Sequence, residues 1–170
     1  AMAKEGRAFK GCLYFGLMLT PNGPKVIEYN CRFGDPETQV VLPLLETDFV
    51  DIIKAIHADT LDQLDIQWKK GCVACVIMAS GGYPKKYATG LPISGLNEKG
   101  QLDSAFVYHA GTRYENGTFL TAGGRVLGVT VAGDTLQQAL DGAYAAVEQI
   151  RFEGAHYRKD IGQRALACGK

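Results

Sequence analysis

No unbroken apolar run in these 170 residues exceeds Cys72 to Ala79. A bilayer-spanning helix needs about 20 such residues, so no segment reads as a transmembrane helix. Net charge is also missing: 18 Lys and Arg balance 18 Asp and Glu. That balance excludes the basic footprint of a general nucleic-acid binder. The opening AMAKEGRAFK has no apolar stretch and hence no signal-peptide pattern. Five cysteines are an odd count for a disulfide framework, and with no secretory signal they imply a reduced, cytoplasmic protein.

Hydrophobic residues make up 46% and charged residues 21%, a globular and not a disordered balance. Glycine is in excess, 21 of 170, against a background near 7%. The glycines form no repeat, so they mark turns and close backbone approaches.

Gly11 to Thr20 is apolar and aromatic, Pro21-Asn22-Gly23-Pro24 is turn chemistry, and Lys25 to Asn30 is β-prone again. The three together predict a hairpin. Along the second strand Lys25, Ile27 and Tyr29 alternate with Val26, Glu28 and Asn30, so period 2 places Glu28 and Asn30 on one face. A polar loop, Cys31 to Glu37, follows. Thr38 to Leu45 is apolar and broken at Pro43. Asp48 then caps a helix whose apolar face is Phe49, Ile52, Ile53 and Ile56.

From about Gln67 the texture becomes β-rich. Cys72 to Ser80 reads as a buried strand ended by Gly81-Gly82-Tyr83-Pro84. Ala105 to Ala110 and Phe119 to Thr121 read as short strands, with a type I′ hairpin signal at Glu115-Asn116-Gly117-Thr118. Arg125 to Ala132 alternates. Asp134 is the expected cap of a long helix burying Leu136, Ala139, Leu140, Ala143, Val147 and Ile150. A domain boundary is expected near residues 66–71, giving domains 1–68 and 69–170.

Five chemically capable residues, Glu28, Asn30, Arg32, Asp35 and Glu37, lie within ten positions. A carboxylate and an amide carbonyl are hard oxygen donors of the kind Mg²⁺ accepts beside substrate phosphates. Arg32 offers a planar fork for phosphate or carboxylate, and Asp35 and Glu37 suit an ammonium group. On spacing alone, a solvated cluster at a strand end explains the same residues.

The run GPKVIEYNCRFGDPETQVVLPLL (residues 23 to 45) resembles the C-terminal half of an ATP-grasp ligase. HAGT (109–112), GGRVL (123–127) and FEGAHYRKDIGQRAL (152–166) follow in the same order as in the phosphoribosylamine–glycine ligases (glycinamide ribonucleotide synthetases) of purine biosynthesis. The resemblance runs from about Phe9 to about Leu166. It implies an α+β fold: the C-terminal part of an ATP-grasp core, then a β-rich hybrid-type domain with one long helix. It implies Glu28 and Asn30 as ligands of Mg²⁺ (or Mn²⁺) and puts Arg32, Asp35 and Glu37 in the loop beside the substrate site; their chemistry alone makes Arg32 the catalytic candidate and Asp35 and Glu37 the substrate-binding ones. ATP, glycine and 5-phosphoribosylamine are the implied small-molecule partners. Members of the family also have an N-terminal part that is absent here. The expectation is therefore an inactive portion of a ligase, prone to self-association through the uncovered hairpin. The first hairpin strand carries no acid that would serve as a further metal ligand.

Other features read as structural. Cys72 and Cys75 are three apart on a strand and face opposite ways. Gly123-Gly124-Arg125 precedes a strand, not a helix, and reads as a tight turn. His109 is expected to be hydrogen-bonded and structural, with a site role left open by the HAGT match. Tyr157-Arg158-Lys159-Asp160 reads as solvated charge beside a packed tyrosine. The alternative function is a non-catalytic β-hybrid binding, carrier or scaffold module. A carrier needs an exposed lysine, and Lys85-Lys86 is the only candidate tip.

Overall fold

The computed structural model describes residues 2–168. The chain divides into two compact units. One takes the chain up to Thr38 together with Leu45–Lys69. The other takes Gln39–Leu44 and the chain from Lys70 onward.

In the first unit, β1 (Tyr14–Thr20) and β2 (Gly23–Asn30) form an antiparallel hairpin. The turn is only Pro21-Asn22, because Thr20 already pairs with Gly23. Thr20 Oγ1 ties it off, donating to Gly23 O at 2.7 Å and accepting from Asn22 N at 3.3 Å. Gly23 adopts φ 87°, which a side chain would strain.

The ladder is interrupted once. Gly16 pairs with Glu28 but Leu17 pairs with Val26, so Ile27 is an extra residue in a β-bulge. Directly paired residues share a face. Tyr14, Gly16, Met18, Lys25, Glu28 and Asn30 therefore lie on one side. Phe15, Leu17, Leu19, Val26 and Tyr29 lie on the other. The simple alternation of β2 is corrected on this point: Lys25, not Val26, shares the face of Glu28. The apolar side is uncovered, with Leu19 83% exposed, and Phe15 meets Tyr29 edge-on at 5.1 Å.

After the loop come a single helical turn, α1 (Thr38–Val41), a 3-10 turn at Leu42–Leu44, and α2 (Phe49–Ala58). Asp48 caps α2 as expected, its side chain accepting from Val50 N at 2.7 Å. The expected apolar face of α2, with Cys12 and Phe33, lines a half-open cleft of about 280 Å³.

The second unit carries two antiparallel three-stranded sheets. Its strands are β3 (Cys72–Ala79), β4 (Pro92–Ile93), β5 (Phe106–His109), β6 (Thr112–Glu115), β7 (Thr118–Thr121) and β8 (Arg125–Gly133). The orders are β3-β8-β5 and β4-β7-β6. Nothing in the residues announces β4, and only the turn announces β6; both are short edge strands with little apolar alternation. Asn116 (φ 49°) and Gly117 (φ 80°) make the expected hairpin turn between β6 and β7.

Helix α3 (Leu136–Val147) packs on β3 and β8. Ala74, Val76 and Met78 of β3 and Leu127 and Val129 of β8 meet Ala139, Leu140, Ala143 and Val147 in one core. The cap of α3 is a correction: Thr135, not Asp134, accepts from Gln138 N at 3.2 Å. Gln138 returns the bond to Thr135 N, completing a capping box. Ile150 is buried as expected but lies beyond the helix end. The chain closes with α4 (Gln163–Cys168).

Candidate functional site

The hairpin positions the donor pair. Glu28 and Asn30 are adjacent on one face, and Asn30 Nδ2 donates to Glu28 Oε1 at 3.0 Å. That bond uses the amide nitrogen, so Asn30 Oδ1 and Glu28 Oε2 remain as the acceptor oxygens of the pair. Opposite them, Gly16 leaves room: a Cβ there would sit 3.0 Å from Glu28 Cγ. Among the described residues no group of three or more His, Cys, Asp or Glu could hold a metal. By their chemistry, one carboxylate oxygen and one amide oxygen are hard donors that suit an ion completing its shell with phosphate oxygens and water.

Tyr14 was missed at the level of sequence. It pairs with Asn30, and its hydroxyl donates to Glu37 Oε1 at 3.0 Å. The acceptor bond to Glu37 raises the Tyr14 phenol above its ordinary value, with desolvation and the charges of Glu37 and Glu28 adding to it. Gly34 comes close to the same carboxylate: a Cβ there would lie 2.5 Å from Glu37 Oε2, the outer end of that side chain. Gly34 O in turn accepts from Thr38 N at 3.1 Å and from Thr38 Oγ1.

Arg32 curls onto its own loop, donating to Phe33 O at 2.7 Å. Asp35 precedes Pro36 through a cis peptide. The structure thus unites Glu28 with Asn30, and Tyr14 with Glu37.

The secondary candidates behave structurally. His109 Nε2 meets Gly100 O at 2.8 Å and Nδ1 meets Thr112 Oγ1 at 2.9 Å. The carbonyl requires a proton on Nε2, so the neutral ring accepts from Thr112. Cys72 and Cys75 lie on opposite faces of β3. Gly124 is pressed against Tyr83, whose ring a Cβ would approach to 2.2 Å. Arg158 pairs with Asp160, while Tyr157 packs beside Tyr144. The β6–β7 tip has no lysine, and the Lys85 backbone is tied into a turn through Gly82 O at 2.8 Å.

Residues 1–38 match the model of the phosphoribosylglycinamide synthetase ATP-grasp (A) domain, and residues 73–164 match that of the phosphoribosylglycinamide synthetase C domain. The chain belongs to the phosphoribosylglycinamide synthetase family. It is 52% identical over 161 residues to a phosphoribosylamine–glycine ligase of Caldanaerobacter subterraneus, covering 95% of this chain and 38% of that protein. It is 47% identical to the human trifunctional purine biosynthetic protein adenosine-3, covering 98% of this chain and 16% of that one. The crystal structure of phosphoribosylamine–glycine ligase from Thermotoga maritima superposes with a TM-score of 0.79 at 34% identity. That match covers 94% of this chain and 39% of the other. The chain therefore spans about two fifths of the single-function synthetases it matches. The expected α+β fold, an ATP-grasp remnant followed by the β-rich domain, holds in this synthetase segment. No helix among the described residues is long and apolar enough to cross a membrane.

Proposed function

We propose that the chain is the C-terminal part of an ATP-dependent ligase. The complete enzyme joins glycine to 5-phosphoribosylamine, giving glycinamide ribonucleotide, ADP and phosphate. The observation that carries this reading is the donor pair: Glu28 and Asn30 hydrogen-bonded side by side at the end of β2, within a segment of synthetase sequence. The relatives, named as phosphoribosylamine–glycine ligases, support the substrate pair.

Glu28 Oε2 and Asn30 Oδ1 would hold Mg²⁺ or Mn²⁺, which supplies charge neutralisation at the nucleotide phosphates. Arg32 adds a delocalised cation for a phosphate or carboxylate oxygen. Asp35 and Glu37 flank the substrate side, where an amine must approach an activated carboxyl. Such sites work by holding reactants and balancing charge, with little covalent work by the protein. The domain division at about residue 68 and a cytoplasmic setting belong to the same reading. So does self-association of the isolated chain through the bare side of the hairpin, which light scattering at high concentration reads directly.

The test is Glu28→Ala in the complete ligase. Loss of turnover with an unchanged unfolding midpoint supports the metal role, whereas an unaffected rate leaves the two side chains as solvated groups at a strand end. The isolated chain is expected to split no ATP in the presence of glycine and phosphoribosylamine.

A further inference from the structure

Tyr14 lies outside every residue pattern that pointed to the site, yet it contacts the site from the opposite strand. It stands across from Asn30, one end of the donor pair. Its hydroxyl reaches over the strand end to Glu37 Oε1 at 3.0 Å, bridging 23 residues of sequence. Gly34, which lies near that carboxylate, accepts at its carbonyl from Thr38 N at 3.1 Å. The segment between Asn30 and Thr38 thus has two anchors. One is the strand that carries Asn30. The other is Glu37, held by a phenol on β1. Arg32 and Asp35 lie between the anchors.

We propose that Tyr14 is a positioning residue: its hydrogen bond to Glu37 fixes loop 31–37 over the face that presents Glu28 and Asn30. The proposal rests on the ligase reading for its catalytic consequence, but not for its structural one. A bond from a neutral donor to a carboxylate is among the stronger side-chain bonds. Tyr14→Phe deletes that bond and little else, because the ring keeps its place against the hairpin.

Two measurements test it. In the chain itself, without nucleotide or metal, amide hydrogen exchange of residues 31–38 is compared between wild type and Tyr14→Phe. The expected result is exchange in that loop faster by about ten-fold, with α2 unchanged. In the complete ligase, Tyr14→Phe is expected to lower kcat/KM by about ten-fold or more at unchanged unfolding midpoint. In the same enzyme, adding Tyr14→Phe to Glu37→Ala should cost nothing further, since both remove one bond. Unchanged loop exchange overturns the proposal. So does a fully additive double variant, or a kinetic loss that only tracks a lowered unfolding midpoint. A normal rate in Glu28→Ala with fast loop exchange in Tyr14→Phe would remove the metal reading and leave the loop anchor standing.

Discussion

Tyr14 faces Asn30 across the hairpin, one residue further along than counting back from the Pro21-Asn22 turn dictates. That single step brings a phenol, a carboxylate and an amide to the same side. It also raises the proton affinity of the phenol, because Glu37 accepts from it.

The raised phenol fixes the direction of an alkaline effect. A group bound more tightly to its proton in the folded state stabilises that state below its ordinary value, here 10.0. The contribution is lost as pH rises through the folded value. Tyrosinate absorbance, wild type minus Tyr14→Phe, should therefore show one residue ionising later than an ordinary tyrosine. A difference curve centred at or below the ordinary value would contradict the contact.

Asp160 gives the acid counterpart. Arg158 donates to it twice, at 2.9 and 2.8 Å, and holds the carboxyl below its ordinary range. The pair stabilises the fold above that range and loses its effect as pH falls through the lowered value. Both groups are solvent-facing, so the effect is small and salt-sensitive. Unfolding midpoints of wild type and Asp160→Asn should differ slightly at neutral pH and converge in acid.

The cap of α3 separates two adjacent residues. Thr135→Ala should cost about 1 kcal/mol in urea unfolding, since it leaves Gln138 N without its acceptor. Asp134→Ala should be nearly neutral. Equal losses at the two positions would show that the capping box does not hold the helix end.

Gly124 meets the ring of Tyr83. Gly124→Ala should destabilise by about 1–3 kcal/mol, the range for forcing extra volume into a packed contact. Combining it with Tyr83→Ala should recover part of that loss, because the clash then has no partner.

Asn30→Ala in the complete ligase should raise the Mg²⁺ concentration needed for half-maximal turnover by about ten-fold, as expected when one of few oxygen donors goes. The Mg²⁺ titration curve reads this directly, and an unshifted midpoint would exclude Asn30 from the metal shell.

The helices were legible where a cap and a 3.6-residue apolar spacing coincided, as at Asp48 with Phe49, Ile52, Ile53 and Ile56. The strand Cys72–Ala79 was legible because its run is apolar and ends at two glycines. Glu28 and Asn30 were legible as neighbours because i and i+2 share a face on any strand. Tyr14 was not. An uninterrupted ladder from the turn pairs it with Tyr29, on the apolar side, and nothing in the residues announces the bulge that reverses this. Thr135 was hidden by Asp134, an equally good cap one position earlier. Only the backbone trajectory out of β8 decides between them.

Ile27 has no partner on the facing strand. Removing it would join Val26 to Glu28 and keep every cross-strand partner, so tolerance to a change in strand length is confined to this one position. Loss of any residue between Glu28 and the loop would instead turn the donors out of register with Tyr14. What the surplus residue contributes is curvature: a bulge adds local twist to an edge, so a shortened hairpin would retain its pairs yet aim its oxygen donors along a different line.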